Sequence, residues 1–498
     1  MMFKHWILLV AASFMASACS TLPANVESAL SNPEQAGTRW GILVVDEAGQ
    51  AVYQRRADER FLPASNTKIV SSMAGYHFAD AIAERASPGT KLFLVSDPDG
   101  GTDPDLVLVG GGDAGLQDGP DCEETCLSQL ADSVVAAGID KVNNVIGDDT
   151  LFPDERWGPG WSQEDLQFYY GTAVSALSVN DNILYLDIEP AEEIGARAKV
   201  SWQIGDDLYA VKNELITVAP HADHEDMIGV ERPLASTQVR VFGEIAWNSA
   251  PRTFRVGVHD PARLAAERLK RLLEERGIEV LGSTDTRHRS RQVWDDPDYK
   301  REEGFMDDTE GSASVTDILI ADLPNSALSD TQAEISKNSN NLHSELLLRR
   351  LGLISGTGSR AHGLAVLDAM LAEAGISEGA ITLSDGTGMS VYNRVTPAGL
   401  VQLLRWAKAQ EWGAAWRADQ PIAGVDGSLE RRFRGTLLEG NVFAKTGTLN
   451  GVNALSGYMI AQSGRELTFS IIANDRPPMT GSALREMQDA LLAIAASH

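Results

Sequence analysis

Cysteine is nearly absent, with three thiols in 498 residues: Cys19, Cys122 and Cys126. So few exclude a disulfide-stapled mini-scaffold and a cysteine-rich zinc module. Basic charge is also short, 42 Lys plus Arg against 70 Asp plus Glu, a net charge of −28. That deficit excludes nucleic acid as a partner, because phosphate binding needs clustered cations. It equally excludes a basic patch that adheres to anionic lipid. Past the N-terminal segment no apolar run reaches the roughly 18 residues a spanning helix needs, and no repeat or low-complexity tract is visible. What remains is an ordinary core-forming composition, 43% hydrophobic and 22% charged, at a length that suggests about three domains.

The first residues read as an export signal. Lys4 and His5 precede an apolar run from Trp6 to Ala12, and small residues follow to Ala16-Ser17-Ala18-Cys19. This is a leader with an A-x-A cleavage pattern, covering residues 1–18. A thiol directly after Ala-Ser-Ala also resembles a bacterial lipobox, in which Cys19 is acylated, although Ala16 stands where a lipobox carries Leu. The expected product is a periplasmic protein anchored to the outer membrane through Cys19, and that anchor is its only membrane contact. Plain cleavage leaving a soluble protein is the alternative. In an oxidising compartment the C-x3-C pair Cys122 and Cys126 is expected to close a small disulfide, because two thiolates alone are too few ligands for a metal.

Short apolar runs at Trp40–Asp46 and Ala51–Arg55 predict a β-hairpin, and Pro63 with Ser65 suit the start of a helix running to about Ile82. Residues 89–315 change texture, alternating short strands (105–109, 198–202, 238–242) with helices such as Pro261–Arg276. The acidic stretch Asp295–Gly304 and Asp307–Glu310 is expected as an exposed connection. Helices near 340–352 and 362–374, strands near 442–446, 452–461 and 466–474, and a final helix 482–497 follow. The expected fold is α/β (α+β): one antiparallel sheet flanked by helices, built from residues 19–88 and 316–498. It is interrupted by a mainly-β insertion of two subdomains.

Two familiar motifs do not fit their contexts. Gly110-Gly-Gly112-Asp-Ala-Gly115 matches a dinucleotide fingerprint, but Leu116–Pro120 cannot open the required helix. Gly375-Ile-Ser377-Glu-Gly379 matches a nucleophile elbow, but lies between a helix and a strand in the wrong order. The cluster His221-Ala-Asp-His224 reads as a surface loop. No metal and no cofactor is expected.

Three short motifs do agree with one chemistry: Ser65-x-x-Lys68, Ser339-x-Asn341 and Lys445-Thr446-Gly447. Residues i and i+3 share a helix face, so Lys68 can reach the Ser65 hydroxyl and serve as its base. Burial and a second cation, Lys445, favour a neutral amine at such a site. Ser339 can relay a proton toward a leaving amine and Asn341 can hold a peptide group. Lys445, Thr446 and Thr448 suit a terminal carboxylate, with the N–H groups of Ser65 and Thr448 as an oxyanion hole.

With these motifs the sequence resembles the low-molecular-mass class C penicillin-binding proteins, the D-Ala-D-Ala carboxypeptidase/endopeptidases. Leu108–Asp113, Ser175–Asn182, Asp385–Ser390, Gly424–Leu429 and Ala444–Thr448 all look like that family's blocks. The resemblance implies a penicillin-recognition (serine β-lactamase-like) fold with a large insertion. It also implies peptidoglycan stem peptides as substrate, β-lactams as covalent inhibitors, and a Ser65 acyl-enzyme. In such proteins the substrate's diaminopimelate side chain is held by an acid, an aromatic and an arginine. Trp161–Tyr170 resembles the block supplying the first two, as Asp165 and Tyr170, while Asn450 could add a hydrogen bond. The arginine is replaced by Val391, leaving Arg394 as a substitute. A serine β-lactamase and a non-catalytic envelope-binding lipoprotein are the rival readings. The first lacks an assignable deacylating Glu, and the second is at odds with an intact motif set.

Overall fold

The computed structural model describes residues 22, 24–96, 103–203, 208–220, 226–299, 317–477 and 483–498. The leader, Cys19, the cluster His221–His224 and the acidic run Asp307–Glu310 lie outside them. The chain divides into two compact units. The first takes the chain up to His77, Gln332–Asn340, and Leu367 onward; the second takes Phe78–Thr331 and Asn341–Val366.

The first unit is built on a five-stranded antiparallel sheet. Its strand order is Val442–Leu449, Val452–Ile460, Glu466–Asn474, Arg39–Val45, Ala51–Arg55. The hairpin and the three C-terminal strands expected from their apolar runs are therefore joined by pairing Arg39 with Asn474 and Val45 with Thr468. Side chains alternate across a strand, and the two faces are covered differently. Trp40, Ile42, Val44, Leu467, Phe469 and Ile471 turn to one face and form a core with Met487, Leu491 and Ile494 of the helix Leu484–Ala496. On the other face Tyr458 donates its hydroxyl to the Leu404 carbonyl of the helix Pro397–Lys408, 2.7 Å.

The helix expected from Pro63 to Ile82 is two helices, Lys68–His77 and Ala79–Arg85, broken at Phe78. Ser65 is not a cap either. It sits in a one-turn 3-10 segment, Ala64–Thr67, with no side-chain capping bond, and Ala64 is held at φ +49°.

The second unit contains a five-stranded mixed sheet: Thr284–Arg289, Val145–Pro153, Asp105–Val109, Thr90–Val95, Ile318–Leu323. The helices Leu127–Ala136 and Pro261–Glu275 cover it through Leu127, Leu130, Leu269 and Leu273. Asp260 caps the second helix by accepting from the Arg263 amide. Two three-stranded sheets enclose a separate core that includes Leu186, Leu215 and Val241. Asp295, expected in an exposed connection, is instead fully buried, because Arg289 donates to it at 3.0 Å and Thr357 also bonds it. Cys122 and Cys126 are disulfide-bonded. Gly110–Gly115 is a loop after a strand, and Gly375–Gly379 joins a helix to a strand, so neither rejected motif has its required context.

Within this unit His288 lies between two carboxylates, 2.8 Å from Asp149 and 3.3 Å from Asp260. Arg156 pairs with Asp154 and Asp260 at 2.9 and 3.4 Å. The hydrogen bonds that His288 donates to Asp149 and Asp260 push its imidazolium up to about 10.

Candidate active site

The site residues of the first unit converge because three backbone segments pass within contact distance of one another. The strand Val442–Leu449 is an edge strand. The Ala444 amide donates to the Pro421 carbonyl and Val442 accepts from Ala423, so even-numbered positions turn their backbone groups outward. In the same phase, Thr446 and Thr448 present theirs at the open edge. The Ser65 turn approaches this strand so closely that a Cβ at Gly447 would lie 2.7 Å from the Pro63 carbonyl and 3.1 Å from the Ser65 amide. Only glycine fits there, which accounts for the third letter of the Lys-Thr-Gly motif. The turn is fixed from below by Asn66, which donates to the Ser456 hydroxyl at 3.0 Å.

Lys68 is fully buried and donates to the Ser65 hydroxyl at 3.1 Å and to the Thr387 carbonyl at 2.7 Å. That carbonyl comes from the loop 385–393, whose hub is the buried Asp385. The Asp385 carboxylate accepts from Thr387 Oγ1, from the amides of Gly388 and Ser390, and from the Asn393 amide group. Gly388, at φ +92°, leaves room for the Ala64 carbonyl, which a Cβ would meet at 1.9 Å. Asp385 thus positions a ligand of Lys68, and the sequence signal for it is the glycine-rich Asp385–Gly388.

Ser339 lies between two helices at φ +57°, a left-handed conformation that costs a serine free energy. Its hydroxyl accepts from Lys445 Nζ at 2.8 Å, and Lys445 also donates to the Thr446 carbonyl. Lys445 is 1% exposed. Burial first, and then the charge of Lys68, hold its ammonium well below the ordinary lysine range. Thr446 donates to Ser428 at 2.7 Å, a partner that nothing in the Lys-Thr-Gly motif announces. Thr448 is exposed and accepts from Asn453.

Asn450 stands exposed at the tip of the following hairpin, next to Gly451 at φ +74°. Arg394 bonds backbone: its Nη1 donates to the carbonyls of Val391 and Asn393, both at 2.8 Å.

The remaining candidates meet in the second unit. Asp165 and Tyr170 occupy consecutive 3-10 turns, and the Tyr170 hydroxyl donates to the Asp165 carboxylate at 3.1 Å. Burial raises the Asp165 carboxyl and the Tyr170 phenol. Asn341, first residue of the helix Asn341–Ser355, donates to the Tyr170 carbonyl at 2.7 Å. That link between the second motif and the 161–170 block had no signal in the sequence.

The chain is similar to known proteins. The family described as D-Ala-D-Ala carboxypeptidase 3 (S13) matches residues 22–293 and 309–498. The D-alanyl-D-alanine carboxypeptidase of Actinomadura sp. (strain R39) is 31% identical over 94% of this chain and 83% of its own length. The D-alanyl-D-alanine carboxypeptidase DacB of Haemophilus influenzae is 25% identical over 92% of this chain and 90% of its own. The crystal structure of penicillin binding protein 4 from Haemophilus influenzae superposes with a TM-score of 0.76 at 22% identity, covering 94% and 98% of the two chains. This last is a likeness of fold.

Proposed function

Because the chain belongs to the D-Ala-D-Ala carboxypeptidase 3 (S13) family, we propose that it hydrolyses D-Ala-D-Ala peptides of peptidoglycan through an acyl-enzyme on Ser65. The observation that carries this reading is the short contact between Lys68 Nζ and Ser65 Oγ beside the bonded pair Lys445 and Ser339.

In the proposed reaction neutral Lys68 takes the Ser65 proton as Oγ adds to the penultimate carbonyl carbon. The outward N–H of Thr448 and that of Ser65 receive the oxyanion, a contribution of a few kcal/mol. Collapse breaks the C–N bond, and the departing D-Ala amine takes its proton through Ser339. Water then cleaves the Ser65 ester and restores the serine. Burial and the charge of Lys68 disfavour the Lys445 ammonium, so the pair holds its protons less firmly than two separate lysines would, which supports an amine as the base. Lys445, Thr446 and Thr448 are assigned to the substrate's terminal carboxylate, and Asn341 to its peptide group. Asp165, Tyr170 and Asn450 are assigned to the side chain of the preceding residue. β-Lactams would acylate the same serine.

The mature protein is placed in the periplasm, with an acylated Cys19 as its tether to the outer membrane. The penicillin-recognition role is assigned to the unit carrying Ser65 and Lys445, and the insertion to the unit carrying Asp165.

The test pairs turnover of a D-Ala-D-Ala peptide with covalent labelling by a fluorescent penicillin. The unsubstituted protein should release D-Ala and take up one label, and Ser65→Ala should do neither. Full labelling of Ser65→Ala would remove Ser65 from its role, and hydrolysis of penicillin without peptide turnover would favour a β-lactamase.

A further inference from the structure

A cavity of about 760 Å³ is lined entirely by residues of the second unit, from the helix Ala79–Arg85, the turn after it, and the segment that follows the strand Ile318–Leu323. Ile82, Pro88, Pro324 and Leu328 give it apolar walls. Two of its polar walls are already tied into the fold. Asn325 accepts from the Gly89 amide at 3.1 Å and donates to the Gly111 carbonyl at 3.0 Å. Ser326 donates its amide and its hydroxyl to the Asp113 carboxylate at 2.6 and 2.7 Å. Such bonds fix the shape of the cavity, so a ligand entering it would not have to order the wall first.

Arg350 is the exception among the lining residues. It reaches the cavity from the helix Asn341–Ser355 and is 2% exposed. Its Nε donates to the Ala86 carbonyl at 2.9 Å and its Nη2 to the Ser87 hydroxyl at 2.5 Å. Its Nη1 is buried and has no hydrogen-bond partner among the described residues. Burial disfavours its charge, and the one acid that offsets this, Asp113, already accepts both bonds from Ser326. An arginine keeps its proton even so, and a buried cation without a counter-charge is costly. This guanidinium is short of an anion.

The cavity also carries the opposite sign. Asp80 and Asp322 line it and are exposed, and the nearest cation to Asp322, Lys91, stands 4.0 Å away. Two such carboxylates repel a simple anion such as phosphate, whereas an ammonium complements them. We propose that this cavity binds a small zwitterion, an amino acid or short peptide whose carboxylate takes Nη1 of Arg350 and whose ammonium faces Asp80 and Asp322. The site is independent of the Ser65 chemistry, and the peptidase reading is not needed for it.

Titration calorimetry on the full mature protein tests this with four probes: D-alanine, glycylglycine, N-acetyl-D-alanine and D-alaninamide. The two zwitterions should bind saturably at one site per chain. The acetylated probe lacks the ammonium and the amide lacks the carboxylate, so each should bind at least about tenfold more weakly than D-alanine, the value of one charge-assisted contact. Arg350→Met should abolish binding. Because that substitution also removes the bonds to Ala86 and Ser87, Ala83→Trp is the second variant: it places an indole on an exposed lining position and leaves Arg350 intact. It should abolish binding with the circular dichroism of the parent. Asp80→Asn combined with Asp322→Asn should weaken D-alanine and leave N-acetyl-D-alanine unchanged or tighter. Failure of both zwitterions to bind at millimolar concentration would overturn the proposal. So would binding that survives Ala83→Trp, which puts the ligand elsewhere, or equal affinity for D-alanine and its acetylated form, which makes the cavity a plain anion site.

Discussion

Lys445 and His288 are both nitrogen bases largely withdrawn from water, and their surroundings push them in opposite directions. Around Lys445 stand a serine hydroxyl, a backbone carbonyl and a second cation, so burial wins and the charged form is disfavoured. Around His288 stand Asp149 and Asp260, so attraction and hydrogen bonding win and the charged form is held up to about 10. The difference separates two uses of buried charge. A fully compensated ion cluster ties elements together; a buried amine denied a carboxylate can take its counter-charge from a substrate instead.

The largest expected effect tests the uncompensated site. Lys68→Ala should slow acylation of Ser65 by a fluorescent penicillin by orders of magnitude, because it removes the proposed base, the amine bonded to the Ser65 hydroxyl. Its circular dichroism should remain that of the folded protein. Acylation at an undiminished rate would transfer the base role to another group.

The compensated cluster should answer to pH instead. The folded value for His288 lies above the free imidazole value of 6.5, so its stabilisation is complete below the free value and is lost as pH rises through about 10. The unfolding midpoint should fall between pH 7 and 10, and His288→Asn should flatten that fall. Near neutral pH the substitution should cost about 2 kcal/mol, since it leaves two acids facing each other. A variant whose midpoint fell with pH as steeply as the parent's would show that the cluster is not the cause.

The smallest effect belongs to Asp165. Asp165→Ala should lower kcat/KM several-fold on peptides with a free side-chain amine, the value of one partly solvated charge-assisted bond. Simple penicillins should acylate the variant normally. Equal losses with and without the amine would leave Asp165 as a partner of Tyr170 only.

The strands of the first unit were legible because each is an apolar run too short for a helix, and the helix Pro261–Glu275 because its leucines recur at helical spacing and Asp260 caps it. The three motifs were legible as a set. What escaped depends on contacts across long separations. Nothing local to Lys68 announces the Thr387 carbonyl, 319 positions away, and nothing near Asn341 announces Tyr170. The 3-10 turn at Ser65 was hidden because Pro63 and Ser65 mimic a cap, whereas the close approach of Gly388 and Gly447 decides the backbone there. Arg394 looked free to replace a missing guanidinium, but neighbouring carbonyls occupy one of its amino groups.

The pairing of Arg39–Val45 with Glu466–Asn474 has a consequence in time. A chain delivered N-terminus first presents its opening hairpin long before the strand that flanks it. At about 5–20 residues per second the wait is roughly 20 to 85 s. Contacts this remote in sequence also form slowly once both partners are present. The Ser65 turn shares the delay, since the serine that anchors it, Ser456, belongs to the same late segment. The Ser65 turn is therefore assembled last, after the long central region has emerged, and a chain cut short anywhere before the final strands carries the proposed nucleophile without its surroundings.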